Sequence, residues 1–172
     1  MNRIDRHQLA KISLFAAMDE AQIDKVVRIM RVRHYKSGDL IIREGEIGGE
    51  LFILIKGSIE ISKRLTLRGT QGEDLRNKSL VRLNDRDNVF FGEMSIFGDE
   101  QRSATVRALD ATTLGVLTTG QVRRLAETEP LIGYRMFYNI GKTVADNLRR
   151  ANRDILKLST AFCLALEGKG RL

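Results

Sequence analysis

The sequence predicts a mainly β fold with flanking α-helices: a β-barrel or sandwich entered through short N-terminal helices and left through one long C-terminal helix. Three observations carry this expectation. Apolar residues at helical spacing come first; short β-type runs punctuated by glycine follow; and the last forty-odd residues carry an apolar seam recurring every three or four positions.

Residues 6–30 read as two short helices. Leu9, Ile12, Leu14 and Phe15 precede Met18, Asp19 and Glu20, and Ile23, Val26, Val27 and Met30 then recur at helical spacing. Asp19 is the expected N-cap of the second helix, with Gln22 three residues on in the capping-box position. Beyond Tyr35 and Lys36, the runs Leu40-Ile41-Ile42, Leu51-Phe52-Ile53-Leu54-Ile55 and Ile59-Glu60-Ile61 predict strands, the last by its period-2 alternation. Gly38, Gly45, Gly48, Gly49 and Gly57 fall between or at the ends of these runs, where turns are expected. Residues 65–81 hold a polar stretch around Gly69-Thr70-Gln71-Gly72-Glu73-Asp74, expected as a hairpin tip, before Leu80-Val81-Arg82-Leu83 resumes a strand. Further strands are expected over residues 103–109 and 113–117.

Helical sequence restarts at Thr118 or Thr119. Pro130 suits the first turn of a new helix and not its interior, so another helix begins there. Phe137, Ile140, Val144, Leu148, Ala151, Ile155, Leu158 and Phe162 lie 3, 4, 4, 3, 4, 3 and 4 residues apart, a continuous seam that asks for a partner helix. Packing on its own barrel accounts for the first half of the seam and not for the second, which predicts a homodimer through this helix. Gly168, Lys169, Gly170 and Arg171 end it.

At 172 residues the chain holds one sizeable core with a helical appendage, divided here as residues 1–130 and 131–172. Apolar residues at 42% and charged residues at 30% exclude intrinsic disorder. Residues 1–7 lead into mixed polar sequence, and no stretch approaches the ~18 apolar residues of a membrane span, so a cytoplasmic, non-membrane location is expected. Cys163 is the single cysteine and the two histidines, His7 and His34, stand in no ligand cluster, so no intrachain disulfide and no metal are expected. The formal charge of +7 fits a nucleic acid partner, an anionic ligand or a solvated surface. Residues 131–172 carry eight basic side chains against three acidic ones, so most of the surplus sits on the C-terminal helix.

The chemistry concentrates in Phe90-Phe91-Gly92-Glu93-Met94-Ser95-Ile96-Phe97 and, after a polar loop, Arg102-Ser103-Ala104-Thr105-Val106. A strand gives way at Gly92 to a short helical turn, and Arg102-Ser103 enters another strand. The unpaired amides at the start of such a turn favour an anion, and glycine lets the backbone approach it. Arg102 offers a planar, permanently charged fork matched to phosphate oxygens, and Ser103 adds a hydroxyl. Glu93 cannot hold phosphate, but its carboxylate can accept from a ribose hydroxyl, with Arg102 near enough to balance its charge. Thr105 is expected to face the barrel and Arg107 the solvent. An anion beside a sugar implies a nucleotide.

These residues resemble the phosphate-binding cassette of the cyclic nucleotide-binding domain family, shared by catabolite-activator-type regulators, regulatory subunits of cyclic AMP-dependent protein kinase and gated channels. The blocks G-D-L-I-I-R-E-G-E over residues 38–46 and L-F-I-L-I-K-G-S-I-E-I over residues 51–61 resemble its glycine-bounded strands, in family order. The resemblance spans about residues 14–162 and implies a jelly-roll barrel. It implies ligand contacts at Phe91, Gly92, Glu93, Met94, Ser95, Arg102, Ser103 and Ala104. Gly92, Arg102 and Ser103 would hold the cyclic phosphate, Glu93 would accept from the ribose 2′-hydroxyl, and Gly57 would support a barrel turn. Asn147, on the long helix, would read a purine edge. The ligand implied is cAMP, with cGMP left open because a hydroxyl after the cassette arginine also occurs in guanine-binding members.

A regulatory sensor that relays occupancy through its C-terminal helix to a dimer or to an unidentified output protein is therefore expected, and not an enzyme. No phosphate-binding P-loop, nucleophile elbow or metal-ligand cluster of the kind a phosphodiesterase needs is present. The ten residues after Phe162 are too few for a helix-turn-helix, which speaks against sequence-specific DNA reading by this chain. Three alternatives stand beside this reading: a nucleotide-independent dimerisation adaptor, a DNA-linked regulator of the catabolite-activator type lacking its own helix-turn-helix, and a nonspecific nucleic-acid binder acting through Arg149, Arg150, Arg153 and Lys157.

Overall fold

The computed structural model describes residues 5–69, 72–98 and 101–169. Helix α1 (Arg6–Lys11) and a 3₁₀ turn (Ser13–Phe15) lead to α2 (Glu20–Ile29). Asp19 caps α2 as expected: its carboxylate accepts from Gln22 N while the Gln22 side chain accepts from Asp19 N. The strands β1 (Arg31–Tyr35), β2 (Leu40–Ile42), β3 (Glu50–Lys56), β4 (Ser58–Gly69), β5 (Gly72–Asn84), β6 (Phe90–Phe91), β7 (Thr105–Ala108) and β8 (Thr112–Thr118) follow, and then helices α3 (Thr119–Thr128) and α4 (Pro130–Lys169). The strands form two antiparallel four-stranded sheets, ordered β1-β8-β3-β6 and β2-β7-β4-β5, which is the jelly-roll arrangement expected.

Strand β3 shows why the sequence folds this way. Its side chains alternate between the two faces. Phe52 and Leu54 join Ile42, Ile59, Phe91, Val106, Leu114 and Val116 inside the barrel. Leu51 and Ile53 point the other way, into a second core with Leu9, Ile12, Phe15, Ile23, Val26, Val122, Ile132, Met136 and Ile140. A strand covered on both faces must be apolar at every position, hence the unbroken run the sequence shows. Each such side chain contributes on the order of 1.5–3 kcal/mol by leaving water.

Two expectations change. Strand β1, Arg-Val-Arg-His-Tyr, pairs antiparallel with β8 but is mostly exposed, so it lacks the apolar signature by which the other strands were found. The stretch expected as a polar hairpin tip is mostly a paired arm, in which β4 and β5 pair from Ser58↔Asn84 to Gly69↔Gly72 with one register shift between Ile61 and Ser62. Backbone hydrogen bonds hold a ladder whatever the side-chain polarity, so composition alone mistook strand for loop. Thr70 and Gln71 lie outside the described residues, as does the last part of the C-terminal tail, residues 170–172.

Helix α4 opens at Pro130, as its sequence predicts. Its first turns belong to the core through Ile132, Met136 and Ile140, with Val144 packed against them. The buried Asn139 fixes it to the N-terminal segment, its amide donating to the carbonyls of Leu14 (2.9 Å) and Ala16 (3.0 Å). Beyond that the seam faces solvent: Leu148, Ile155, Leu158 and Phe162 are 59–72% exposed. No helix among the described residues is long and apolar enough to cross a membrane.

Candidate functional site

The cassette folds as read. After β6 the chain turns at Gly92, in the left-handed region at φ 80°, and enters a 3₁₀ turn over Glu93–Ile96. Side chains are excluded at Gly92 for two reasons: the positive φ, and a Cβ there would fall 2.8 Å from the Glu50 carbonyl oxygen and 3.0 Å from Arg102 Nη1. The first amides of the turn have no partner within it, which leaves them for an anion.

Arg102 is the centre of the site and is only 8% exposed. Its Nη1 donates to the Glu50 carbonyl (3.0 Å) and to the buried Ser95 Oγ (2.7 Å), and its guanidinium lies over the Phe52 ring, 5.7 Å from the centroid. Phe52 in turn stacks on Phe91 at 5.3 Å. Among the described residues Nε and Nη2 make no hydrogen bond; they lie against Gly48, whereas Nη1 is the nitrogen nearest Gly92. Burial pushes the Arg102 pKa below the usual arginine value, and the Glu50 carboxylate opposes that shift. The backbone of Arg102 is clamped as well: its N–H donates to Glu46 O (2.8 Å) and its carbonyl accepts from Gly45 N (2.9 Å).

A cavity of about 150 Å³ opens beside this arginine, lined by Phe91, Gly92, Glu93, Met94, Ser95, Gln101, Arg102, Ser103, Ala104 and Val106, with Ile42 and Ile61. The eight cassette positions singled out in the sequence thus meet in one place. Ser103 and Met94 are exposed at its mouth, and Ser95 turns inward to hold Arg102. Asn147 is not brought to it: this side chain is exposed on α4, and its Oδ1 accepts from Arg150 Nη2 at 2.7 Å. Arg102 and Glu93, expected near enough for the arginine to balance the carboxylate's charge, line the same cavity without touching through charged atoms. Among the described residues the two form no ion pair, because the Glu50 carbonyl and Ser95 draw the guanidinium inward and the nearby negative charge is that of Glu50. Thr105 is half-buried and its Oγ1 accepts from Glu44 N (3.1 Å), while Arg107 is exposed and donates to Gly38 O (2.5 Å). Gly57, at φ 94°, makes the β3–β4 turn.

Sequence reasoning missed the other half of the arginine's seat, residues 45–50. Glu50 spends its carboxylate on Arg33, with contacts of 2.6 and 3.1 Å, and its carbonyl on Arg102. Gly48 lies directly against the guanidinium: a Cβ there would fall 2.5 Å from Arg102 Nε. Thr119, at the start of α3, completes the support by donating to the carbonyls of Gly49 (3.0 Å) and Ser95 (3.1 Å). The adjacent glycines at 48 and 49 were the available signal, but they read equally well as a turn.

Phe97, at the end of the cassette turn, packs on Phe137 of α4 with ring centroids 6.1 Å apart. The cassette turn and the long helix therefore touch through this aromatic pair. No group of three or more His, Cys, Asp or Glu side chains that could hold a metal occurs among the described residues.

Comparison with known proteins agrees with this geometry. The sequence profile of the cyclic nucleotide-binding domain family matches residues 32–129. The chain is 27% identical over 164 residues to human (Homo sapiens) cGMP-dependent protein kinase 2, covering 94% of this chain and 20% of that protein. It is 34% identical over 104 residues to the cAMP-dependent protein kinase regulatory subunit of Mycosarcoma maydis, covering 60% of this chain and 18% of that one. The chain thus spans about a fifth or less of the length of these curated relatives. The crystal structure of Thermus thermophilus Catabolite Activator Protein superposes with a TM-score of 0.71 at 25% identity, over 86% of this chain and 63% of that one. With its jelly-roll sheets, its cassette arginine and a profile match over more than half its length, the chain belongs to the cyclic nucleotide-binding domain family.

Proposed function

We propose that this chain is a cyclic nucleotide receptor, with cAMP as its ligand, that relays occupancy through α4. The observation that carries the reading is Arg102: a buried guanidinium seated by the Glu50 carbonyl and Ser95 and lining the cavity together with Gly92 and Ser103. The cyclic phosphate binds there, to the Arg102 fork, the first amides of the cassette turn and the Ser103 hydroxyl. Glu93 accepts from the ribose 2′-hydroxyl. At about 150 Å³ the cavity is smaller than the ~300 Å³ lower bound of ordinary ligand pockets, so the base extends beyond it. For Asn147 to reach a purine edge, α4 must close over the mouth. The Phe97–Phe137 contact is the place where cassette and helix feel one another.

A relay needs a receiver. The exposed seam of α4 is suited to a second copy of the chain, giving a homodimer whose helix pair responds to ligand, or to an output protein. Such a switch works only if the two states differ in ligand affinity.

The test is isothermal titration calorimetry of nucleotide-stripped protein with cAMP, cGMP and linear AMP. Saturable binding of cAMP in preference to cGMP, with linear AMP silent, is the expected result. Preference for cGMP would keep the receptor and reverse the purine. Silence with all three would leave the α4 seam as the function, a nucleotide-independent dimerisation adaptor. Arg102→Ala should weaken cyclic nucleotide binding by roughly 2–5 kcal/mol, the cost of losing one partner of a buried charged contact.

A further inference from the structure

A second cavity, of about 490 Å³, opens on a different part of the molecule, between the C-terminal end of α2, the start of β1 and the outer side of α3, and it shares no lining residue with the cassette cavity. Its apolar lining comes from the buried Met30 and Leu125 and the half-buried Ile29. Its charge comes from Arg28, Arg31 and Arg124, all exposed. Among the described residues none of the three forms an ion pair or a side-chain hydrogen bond, and no carboxylate lines the cavity. The neighbouring cation, Lys25, is already paired with Glu129 at 2.5 Å. The two polar side chains in the lining are spoken for: Gln121 donates to Ile29 O (2.6 Å) and accepts from Thr118 N (2.9 Å), and the Thr128 hydroxyl donates to Arg124 O (3.1 Å). What the cleft offers a visitor is three guanidinium forks around an apolar bed.

We propose that this cleft is a docking site for an acidic segment of a partner protein, whose carboxylates pair with Arg28, Arg31 and Arg124 while an apolar side chain settles on Met30 and Leu125. Charge complementarity selects the acidic residues, since guanidinium forks take carboxylates two-pronged. The apolar bed selects against a purely ionic ligand. Exposure of all three arginines selects a chain and not a small molecule, because small-ligand sites bury about 70–90% of their ligand. Strand β1 is also the edge of its sheet, a margin along which an extended segment can lie.

The test uses the full chain and two fluorescein-labelled peptides of equal negative charge, one alternating Asp or Glu with Leu, the other with Ser in place of Leu. Fluorescence anisotropy at about 0.15 M salt should show saturable binding of the Leu peptide and at least about tenfold weaker binding of the Ser peptide, a difference of about 1.4 kcal/mol. Arg28→Ser/Arg31→Ser/Arg124→Ser should lose about tenfold or more, while Arg149→Ser/Arg150→Ser/Arg153→Ser, which removes the same charge from α4, should bind as the wild type does. Absence of binding, equal binding of both peptides, or equal loss in both triple variants would overturn the proposal. Amide shift mapping on the wild-type protein needs no variant to fold: perturbations centred on residues 28–31 and 121–128 support the site, and perturbations confined to α4 or the cassette sink it.

Discussion

At the scale of single residues, Arg102 is seated by groups drawn from across the chain: the Glu50 carbonyl, the Ser95 hydroxyl, the Phe52 ring and the bare Cα of Gly48. Gly48 has no positive φ, so alanine there brings no backbone strain, and its whole effect comes from a methyl placed 2.5 Å from Nε. Gly48→Ala should therefore displace the guanidinium, at a cost of about 1–3 kcal/mol in stability, and weaken cyclic nucleotide binding with it. In an Arg102→Ala background the three atoms nearest that methyl are gone. A double-mutant cycle by urea denaturation should then show most of the Gly48→Ala cost gone; an unchanged cost would mean that the glycine makes room for something other than the arginine.

Among the elements, the turn between β7 and β8 is held to the β3–β4 turn by Asp110. Its carboxylate accepts from the Ser58 hydroxyl (2.5 Å) and the Ser58 N–H (2.9 Å), with a longer contact from Thr112 (3.3 Å). These bonds, the Ser58 hydroxyl first, hold the Asp110 pKa below the ordinary aspartate value. A carboxylate depressed on folding contributes stability above its unfolded pKa of about 3.9 and loses that contribution as pH falls through the lower folded value. Asp110→Asn should be less stable than the wild type at pH 7, and the gap should narrow as the pH is lowered through and below about 4. Thermal unfolding of both proteins across that range checks it; a gap that stays constant with pH would place the contribution of Asp110 in shape and not in charge. Nothing in the sequence singles out this aspartate, because its partner Ser58 stands 52 positions away and only the fold brings the two turns together.

For the whole molecule, α4 is the part with unfinished packing. Its early turns close the helical core, and its later apolar residues, Leu148, Ile155, Leu158 and Phe162, meet solvent in the single chain. If those residues pair two copies, Ile155→Asp puts a carboxylate into the seam, where desolvation makes it costly. Multi-angle light scattering should find a dimer for the wild type and a monomer for the variant. A dimer that survives the substitution would move the interface off the seam.

The sequence by itself determined what depends on neighbours along the chain: the α2 capping box, the β-type runs between glycines, Pro130 at the head of α4, and a cassette whose residues from Gly92 to Ser103 stand close together in the chain. Tertiary structure decided what depends on neighbours in space. It drew Arg102 to Glu50 and not to Glu93, gave Gly48 its reason, left Asn147 outside the cavity, and gathered Arg28, Arg31 and Arg124 from two distant segments into one cleft. The division has one physical cause. Backbone propensity, capping and alternation act over a few residues, whereas burial, close approach and charge pairing act through distances that only the folded barrel sets.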